Sequence, residues 1–167
     1  MDAIDGQIVE LLRVNARLSY AELGRKVGLS APAVHDRVGK LESRGVLRGY
    51  HAIADPNAIG LGITALVGII ETDNGDSDEV AAALYEMPEV ESCYFLAGEE
   101  SFLIKVRVAT MAELERLIVR INKVPGVART RTTVALSTKW EGRPQPGRYP
   151  QQSPRSSQER GANRADQ

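Results

Sequence analysis

The fold is decided by residues 18–50, which read LSYAELGRKVGLSAPAVHDRVGKLESRGVLRGY. Ser19 and Glu22 have the spacing of a capping box, in which each side chain accepts a hydrogen bond from the other residue's backbone amide. Gly28 suits the left-handed conformation that ends a helix, and Ser30 can cap the helix that follows it. The stretch therefore predicts two helices joined by a sharp turn.

Apolar residues with helical spacing lie on both sides of this turn. The second of the two helices tolerates Pro32 in its first turn and is expected to end near residues 43–45. A further amphipathic helix precedes them near the N-terminus. The expected buried positions of the three helices are Ile4, Ile8, Leu11 and Leu12, then Leu23 and Val27, then Val34, Val38 and Leu41. This pattern predicts a helix-turn-helix, followed by an extended, wing-like segment over residues 46–53.

A helix-turn-helix places the N-terminal end of its last helix in the major groove of DNA, where base edges can be distinguished. The Ser30 hydroxyl, which caps the helix in either case, suits a phosphate oxygen, and His35 and Arg37 could read bases. The predicted DNA-contacting residues are Ser30, Ala31, Pro32, His35, Asp36, Arg37 and Lys40.

Local charge favours a DNA contact but leaves individual roles open. Residues 20–50 contain six basic side chains against three acidic ones, an excess suited to phosphate. Arg37 could instead form an ion pair with Glu42 or Asp36, and Lys40 could be a solvated surface charge. The alternative for the whole segment is a three-helix bundle that contacts another protein.

Residues 62–139 alternate between strand and helix patterns and contain a repeat. Met87-Pro88-Glu89-Val90 and Val124-Pro125-Gly126-Val127 each follow an amphipathic helix and precede a strand. The predicted strands cover residues 63–70, 90–96, 102–108 and 127–138. Their order with the helices, βαββαβ, predicts a four-stranded antiparallel sheet with both helices on one face, the ferredoxin-like arrangement. The chain is therefore predicted to be of the α+β class.

The first predicted strand, residues 63–70, has apolar side chains on both faces. One face of a ferredoxin-like sheet has no cover within the chain, so a large part of that open face would be apolar. Exposing such a patch is unfavourable, and a partner subunit is the simplest cover. The sequence therefore predicts a homo-oligomer, at least a dimer.

Turn residues and composition mark the domain boundaries. Asp55-Pro56-Asn57 supplies turn chemistry after the helical segment. We predict a DNA-binding domain over residues 1–54, a linker over 55–61, a sheet domain over 62–140 and a tail over 141–167. The tail mixes prolines with polar residues and is expected to be disordered.

Composition argues against several other classes of protein. The hydrophobic content of 43% is that of a globular protein, and a net charge of -1 argues against coating nucleic acid along the whole surface. The longest apolar stretch is far shorter than the ~20 residues of a membrane helix, and no secretory signal is visible. A single cysteine favours the cytoplasm and, with two histidines, argues against a zinc site. No catalytic constellation appears, so we expect no enzyme activity, no cofactor and no metal ion.

Residues 18–50, the exit at 45–50, the βαββαβ pattern and the turn at 98–101 together resemble the Lrp/AsnC, or feast/famine, family of prokaryotic transcription regulators. The resemblance covers residues 2 to about 139. It implies a DNA-binding helix-turn-helix and a C-terminal domain, called RAM, that dimerises and binds amino acids or related metabolites. It also implies dimers that often assemble into tetramers or octamers. Gly24 and Gly39 depart from the family pattern, and each costs about 1 kcal/mol of helix propensity relative to alanine.

The resemblance also places a small-molecule effector between subunits, near the turn that joins the second and third strands. There, backbone amides would hold an effector carboxylate, and Glu99 or Glu100 would meet its amino group. The alternative is a plain hairpin turn with two solvated acids. The predicted effector-binding residues are Gly98, Glu99, Glu100 and Ser101, with Tyr94, Ala97, Thr132 and Thr133 as weaker candidates that could only pack an interface.

The sequence therefore predicts a cytoplasmic, sequence-specific transcription regulator. Its expected partners are double-stranded DNA, an amino acid or related effector, and further copies of itself, but no membrane. One alternative is a nucleoid-structuring protein that binds DNA with little sequence preference. The other is a metabolite-binding module that does not bind DNA.

Overall fold

The structure, a computed structural model, describes residues 1–145 and Gly147. Two compact units are present, Met1–Ala52 and Ile53–Glu141. The first contains helices α1 (Ala3–Val14), α2 (Tyr20–Val27) and α3 (Ala31–Ser43). The second contains β1 (Ile63–Glu71), α4 (Ser77–Tyr85), β2 (Val90–Phe95), β3 (Phe102–Val108), α5 (Met111–Ile121) and β4 (Val127–Val134). No helix in the described residues is both long enough and apolar enough to cross a membrane.

Capping residues fix the helices of the first unit. Ser19 Oγ accepts a hydrogen bond from the Glu22 amide at 3.2 Å, and the Glu22 carboxylate accepts one from the Ser19 amide at 2.8 Å. Gly28 ends α2 with a φ of 74°, and Ser30 caps α3 by accepting a hydrogen bond from the Ala33 amide. The predicted helix-turn-helix is confirmed, with a core of Ile8, Val9, Leu12, Leu23, Val34, Val38 and Leu41.

The prediction of a wing-like segment after α3 is wrong. Among the described residues no strand precedes Ile63. The amides of Val46 and Leu47 instead donate hydrogen bonds to the Leu41 carbonyl oxygen, at 2.9 and 3.2 Å. Because these bonds turn the chain back onto the end of α3, the exit does not form a strand. The first unit is a plain helix-turn-helix.

The second unit has the predicted βαββαβ order. Its strands lie in the order β2-β3-β1-β4, and every neighbouring pair is antiparallel. Side chains alternate between the two faces of a strand, so every second residue of β1 and β3 faces the helices. The ferredoxin-like arrangement is confirmed, with a core between sheet and helices that includes Ala65, Val67, Ile69, Val80, Leu84, Ile104, Val106, Leu117 and Ile121.

The face of the sheet opposite the helices, here called the open face, is more polar than β1 alone predicts. Lys105 and Arg107 of β3 lie on this face and pair with Glu91, at 2.7 and 2.6 Å. Both also pair with Glu141, which follows the last strand. The remaining apolar strip consists of Leu66, Ile70 and Leu103.

The end of the second unit leads into the predicted tail. Leu136 and Trp140 are largely exposed. Residues 141–145 and Gly147 contain neither helix nor strand. The rest of the predicted tail, residues 146 and 148–167, lies outside the described residues.

Candidate nucleic-acid interface and effector turn

The predicted DNA-contacting residues lie at the N-terminal end and on the outer side of α3. The opposite side of the helix is buried through Val34, Val38 and Leu41. A helix that enters a groove must be anchored in this way along one stripe and accessible along another. Ser30, Pro32, His35, Asp36 and Lys40 are exposed, whereas Ala31 and Arg37 are half-buried.

His35 is oriented by a contact with α2. Its ring meets the ring of Tyr20 edge to face, with centroids 5.1 Å apart. The Nδ1 atom of His35 lies 3.6 Å from Asp36 Oδ1. Because the His35 side chain is still 65% exposed, these contacts orient the imidazole without covering it.

Arg37 differs from the other predicted contacts because its guanidinium is bonded within the chain. Its Nη1 donates hydrogen bonds to Asp2 Oδ2 and Asp5 Oδ1, each at 2.7 Å. The expectation of an ion pair with Glu42 or Asp36 is therefore wrong about the partners. Arg37 connects the middle of α3 to the start of α1.

Asp2 and Asp5 themselves form a capping box, here called the acidic box. Asp2 accepts a hydrogen bond from the Asp5 amide at 2.8 Å, and Asp5 accepts one from the Asp2 amide at 3.1 Å. The bond from the Asp5 amide, and then Arg37, hold the pKa of Asp2 below its usual value. Hydrogen bonds to Asp2 and Asp5 raise the pKa of Arg37. Sequence reasoning missed this box, although the three-residue spacing of its acids was the available signal.

A second contact ties α3 to the exit segment. Tyr50 Oη donates a hydrogen bond to Glu42 Oε1 at 2.8 Å. Burial, and then the Glu42 carboxylate, raise the pKa of Tyr50 to about 12. The Tyr50 hydroxyl thus links the exit segment to Glu42. Sequence reasoning assigned this role to neither residue.

Cations lie along the accessible side of α3. A shallow groove beside the helix is lined by Asp5, Arg37, Lys40 and Arg44, among others. Lys40 and Arg44 are exposed, as are Arg25 and Lys26 of α2. Exposed cations of this kind supply the sequence-independent attraction to phosphate on which DNA binding depends.

In the second unit, the turn between β2 and β3 is bonded to the last strand through its two acids. Arg129 Nη2 donates a hydrogen bond to Glu99 Oε1 at 2.8 Å, and Arg131 Nη1 donates one to Glu100 Oε1 at 2.9 Å. The turn is therefore not a hairpin with two unpaired acids. Sequence reasoning missed Arg129 and Arg131, although their period-two spacing puts both on one face of a strand.

Glu100 reaches Arg131 by crossing β1 above Gly68. Gly68 lies opposite Arg131 in the register of β1 and β4. A β carbon at Gly68 would stand 2.9 Å from Glu100 Cγ, closer than real contacts allow. Glycine at this position therefore leaves the space that the Glu100 side chain occupies.

The other predicted effector residues do not all share one surface. Thr133 lies opposite Leu66 on the open face, and Tyr94 lies on the same face with 57% of its surface exposed. Thr132 lies opposite the buried Val67 and therefore faces the helix-covered side. Thr132 cannot contribute to a site on the open face.

Backbone bonds also limit what the turn can offer. The Ser101 amide donates a hydrogen bond to the Ile69 carbonyl oxygen at 2.8 Å, and the Leu96 amide donates one to the Ser101 carbonyl oxygen at 2.8 Å. The Ser101 amide is thus already used and is not free for an effector carboxylate. Ala97 and Gly98 are exposed at the start of the turn.

Both units match models of known protein families. Residues 1–42 match the AsnC-type helix-turn-helix domain, and residues 64–145 match the Lrp/AsnC ligand binding domain. The chain is 43% identical over 143 residues to the HTH-type transcriptional regulator LrpA of Mycobacterium tuberculosis, a match that covers 86% of this chain and 95% of the relative. The chain belongs to the Lrp/AsnC family.

This Lrp/AsnC protein is a transcription regulator and not an enzyme, as its family shows. The crystal structure of M. tuberculosis LrpA has a TM-score of 0.81 to it at 42% identity, covering 88% of this chain and 100% of the other. The M. tuberculosis feast or famine regulatory protein complexed with L-methionine has a TM-score of 0.82 at 42% identity, covering 87% and 99%. The family and the fold predicted from sequence are thus confirmed.

Proposed function

We propose that this regulator acts in the cytoplasm and binds double-stranded DNA sequence-specifically, with the outer side of α3 in the major groove. The observation that carries the proposal is that α3 is buried along one stripe while His35 and Lys40 remain exposed on it. His35, oriented by Tyr20, offers ring nitrogens to a base edge. Lys40 and the helix N-terminus at Ser30 offer positive charge and amides to phosphates.

Gel retardation with a fragment from the protein's own upstream region tests this proposal. Lys40→Met is expected to weaken binding to all sequences alike and to reduce the slope of log K against log salt by about one. His35→Ala is expected to reduce the preference for the operator over random DNA. Arg116→Met removes an exposed cation from α5 and serves as the charge-matched control, with binding unchanged. Absence of retardation even in dilute buffer would overturn the proposal.

The same titrations distinguish the two alternative functions. A regulator is expected to bind its operator at least ~10³ times more tightly than random DNA at physiological salt. A ratio near one would indicate a nucleoid-structuring protein. Retained amino-acid binding without any DNA binding would indicate a metabolite-binding module.

We also propose that the chain forms a homodimer through the open face, with assembly into tetramers or octamers. The apolar strip supports this, since Leu66 is 41% exposed in the single chain and lies at the centre of the sheet. A dimer would present two copies of α3 to successive major grooves. In sedimentation velocity, Leu66→Asp is expected to yield monomers. The control, Val119→Asp on the exposed side of α5, is expected to keep the assembly, and a monomeric native chain would contradict the proposal.

The effector is proposed to be an amino acid or a related metabolite, bound at the turn between β2 and β3. A relative has been crystallised with L-methionine. Here Glu99 and Glu100 supply carboxylates for an ammonium group, and Arg129 and Arg131 supply guanidinium groups for a carboxylate.

A thermal-shift titration with L-methionine and a panel of other amino acids tests this site, because binding to the native state raises the apparent stability. The shift is expected to be lost in Arg131→Met and kept in Arg116→Met. A panel that changes neither the midpoint nor the stoichiometry nor the DNA affinity would overturn the effector proposal.

A further inference from the structure

The acidic box lies on the same surface as the basic residues of α3. Asp5 lines the groove beside α3 together with Lys40 and Arg44. Phosphates drawn to these two cations would meet the carboxylates of Asp2 and Asp5, and like charges brought together weaken binding. A DNA-binding surface with this composition requires something that neutralises the box.

Arg37 performs that neutralisation, and its Nη1 is committed to the two carboxylates. One nitrogen, Nη1, donates to both carboxylates at 2.7 Å, a distance typical of charge-assisted bonds. The side chains of Arg37, Asp2 and Asp5 are 30%, 34% and 14% exposed. Turning the guanidinium toward a base would break two such bonds and leave the largely buried Asp5 carboxylate unpaired, which is unfavourable.

We propose that Arg37 is a positioning residue for DNA binding, which holds the start of α1 against α3 and neutralises Asp2 and Asp5 where phosphates approach. In this role it contacts neither a base nor a phosphate. The inference rests on the proposed DNA-binding function. It replaces the base-reading role that the sequence predicts for Arg37. The direct contacts then belong to neighbours such as His35 and Lys40.

A double-mutant cycle tests the proposal. Arg37→Met is compared in the native chain and in a neutral-box variant that carries Asp2→Asn and Asp5→Asn. Asparagine caps helices as well as aspartate does, so the variant removes charge but keeps acceptors for the capping bonds. In the native chain, Arg37→Met is expected to weaken operator binding about tenfold. In the neutral-box variant, it is expected to change affinity by less than about threefold and to leave the salt slope unchanged.

Lys40→Met is the matched control, because a residue that contacts phosphate directly loses its contribution in both backgrounds. Its salt slope is expected to fall by about one in each. If Arg37→Met behaved like Lys40→Met, or reduced operator preference in the neutral-box variant, the proposal would be overturned. Arg37→Lys provides a second test, since an ammonium can still bond both carboxylates. Affinity within about threefold of native is expected, whereas a tenfold loss would indicate a bidentate base contact and overturn the proposal.

A thermal measurement separates this inference from the DNA-binding proposal. Without DNA, Arg37→Met is expected to lower the midpoint of unfolding in the native chain but not in the neutral-box variant. Equal lowering in both backgrounds would overturn the positioning role. A native chain that fails to retard its operator would overturn the proposed function, and the thermal cycle would still decide whether Arg37 acts through the two acids.

Discussion

Each unit contains a glycine that another residue approaches closely, but the approaching atoms differ in kind. In the helix-turn-helix, a β carbon at Gly24 would lie 2.4 Å from the Leu29 carbonyl oxygen. In the sheet unit, a β carbon at Gly68 would lie 2.9 Å from Glu100 Cγ. The first neighbour is backbone and cannot move away alone, whereas the second is a flexible side chain. The first unit is therefore a fixed frame at this point, and the turn of the second unit can rearrange.

Arg129 and Arg131, which pair with the turn between β2 and β3, are more exposed than Arg37. Arg37 bonds the acidic box at about one-third exposure, whereas Arg129 and its partner Glu99 are 65% and 60% exposed. Exposed pairs contribute little to stability, because water and salt screen them. The pairs that Glu99 makes with Arg129 and Arg131 are thus weakly held, whereas the pairs of Arg37 hold two helices together.

Gly24→Ala is expected to have the largest effect. A β carbon there must displace the turn between α2 and α3, and such overpacking costs about 1–3 kcal/mol, offset in part by about 1 kcal/mol of helix propensity. We expect the free energy of unfolding to fall by about 1–2 kcal/mol. Urea unfolding followed by far-ultraviolet circular dichroism measures this change.

Gly39→Ala is the matched control within the same helix pair. A β carbon at Gly39 meets no described atom within 4 Å, so only helix propensity changes. The free energy of unfolding is expected to rise by about 1 kcal/mol. If both substitutions changed stability in the same direction, Gly24 would not be fixed by its contact with Leu29. If the two changes in the free energy of unfolding have opposite signs, then only Gly39 makes the protein less stable than alanine would.

Arg37→Met and Arg131→Met compare the two kinds of ion pair directly. Arg37→Met is expected to lower the free energy of unfolding by about 1 kcal/mol, since it leaves two carboxylates close together and partly buried. Arg131→Met is expected to cost less than about 0.5 kcal/mol, and still less at high salt. Urea unfolding at two salt concentrations checks both values. Equal losses of unfolding free energy for the two variants would mean that the ion pairs of Arg37 and Arg131 stabilise the protein equally.

Lowering the pH tests the ion pair of the acidic box, because it protonates Asp2. The pKa of Asp2 is lowered from 3.8 by the Asp5 amide and by Arg37, so its charged form is favoured in the folded chain. Its contribution to stability is therefore present above pH 3.8 and is lost as the pH falls through the lowered folded-state value. Asp2→Asn is expected to be less stable than the native chain at neutral pH, with a gap that narrows on acidification. A gap that stays constant into this acidic range would argue against the ion pair.

Sequence reasoning succeeded where the determinants are local. The caps at Ser19 and Ser30 and the turn at Gly28 depend on neighbours a few residues away, and the strands follow from alternation along the chain. Arg37 and Asp2 are 35 residues apart, so their bond depends on how α1 packs on α3, which no short pattern encodes. The same holds for the acids of the turn between β2 and β3 and the arginines of β4.

The prediction of a wing-like segment was wrong for a related reason. Residues 46–53 include Val46, Tyr50 and Ile53, which favour extended structure. A strand, however, needs a partner for its backbone groups, and the first amides of this segment bond to Leu41 instead. The residue types of this segment favour a strand, but its hydrogen bonds to the end of α3 prevent one.

Gly68→Ala is expected to have the smallest effect on stability, below about 0.5 kcal/mol, since Glu100 can rotate away from a methyl group and gives up only its pair with Arg131, whose side chain is 59% exposed. The effector response is expected to change, because the carboxylate would leave its place across β1. Thermal-shift titration with L-methionine measures this, with Gly98→Ala as the control, since a β carbon at Gly98 meets no described atom within 4 Å. A stability loss as large as that of Gly24→Ala would mean that Glu100 is held as firmly as backbone. The turn would then be as fixed as the helix-turn-helix, and a ligand could not displace its pairs.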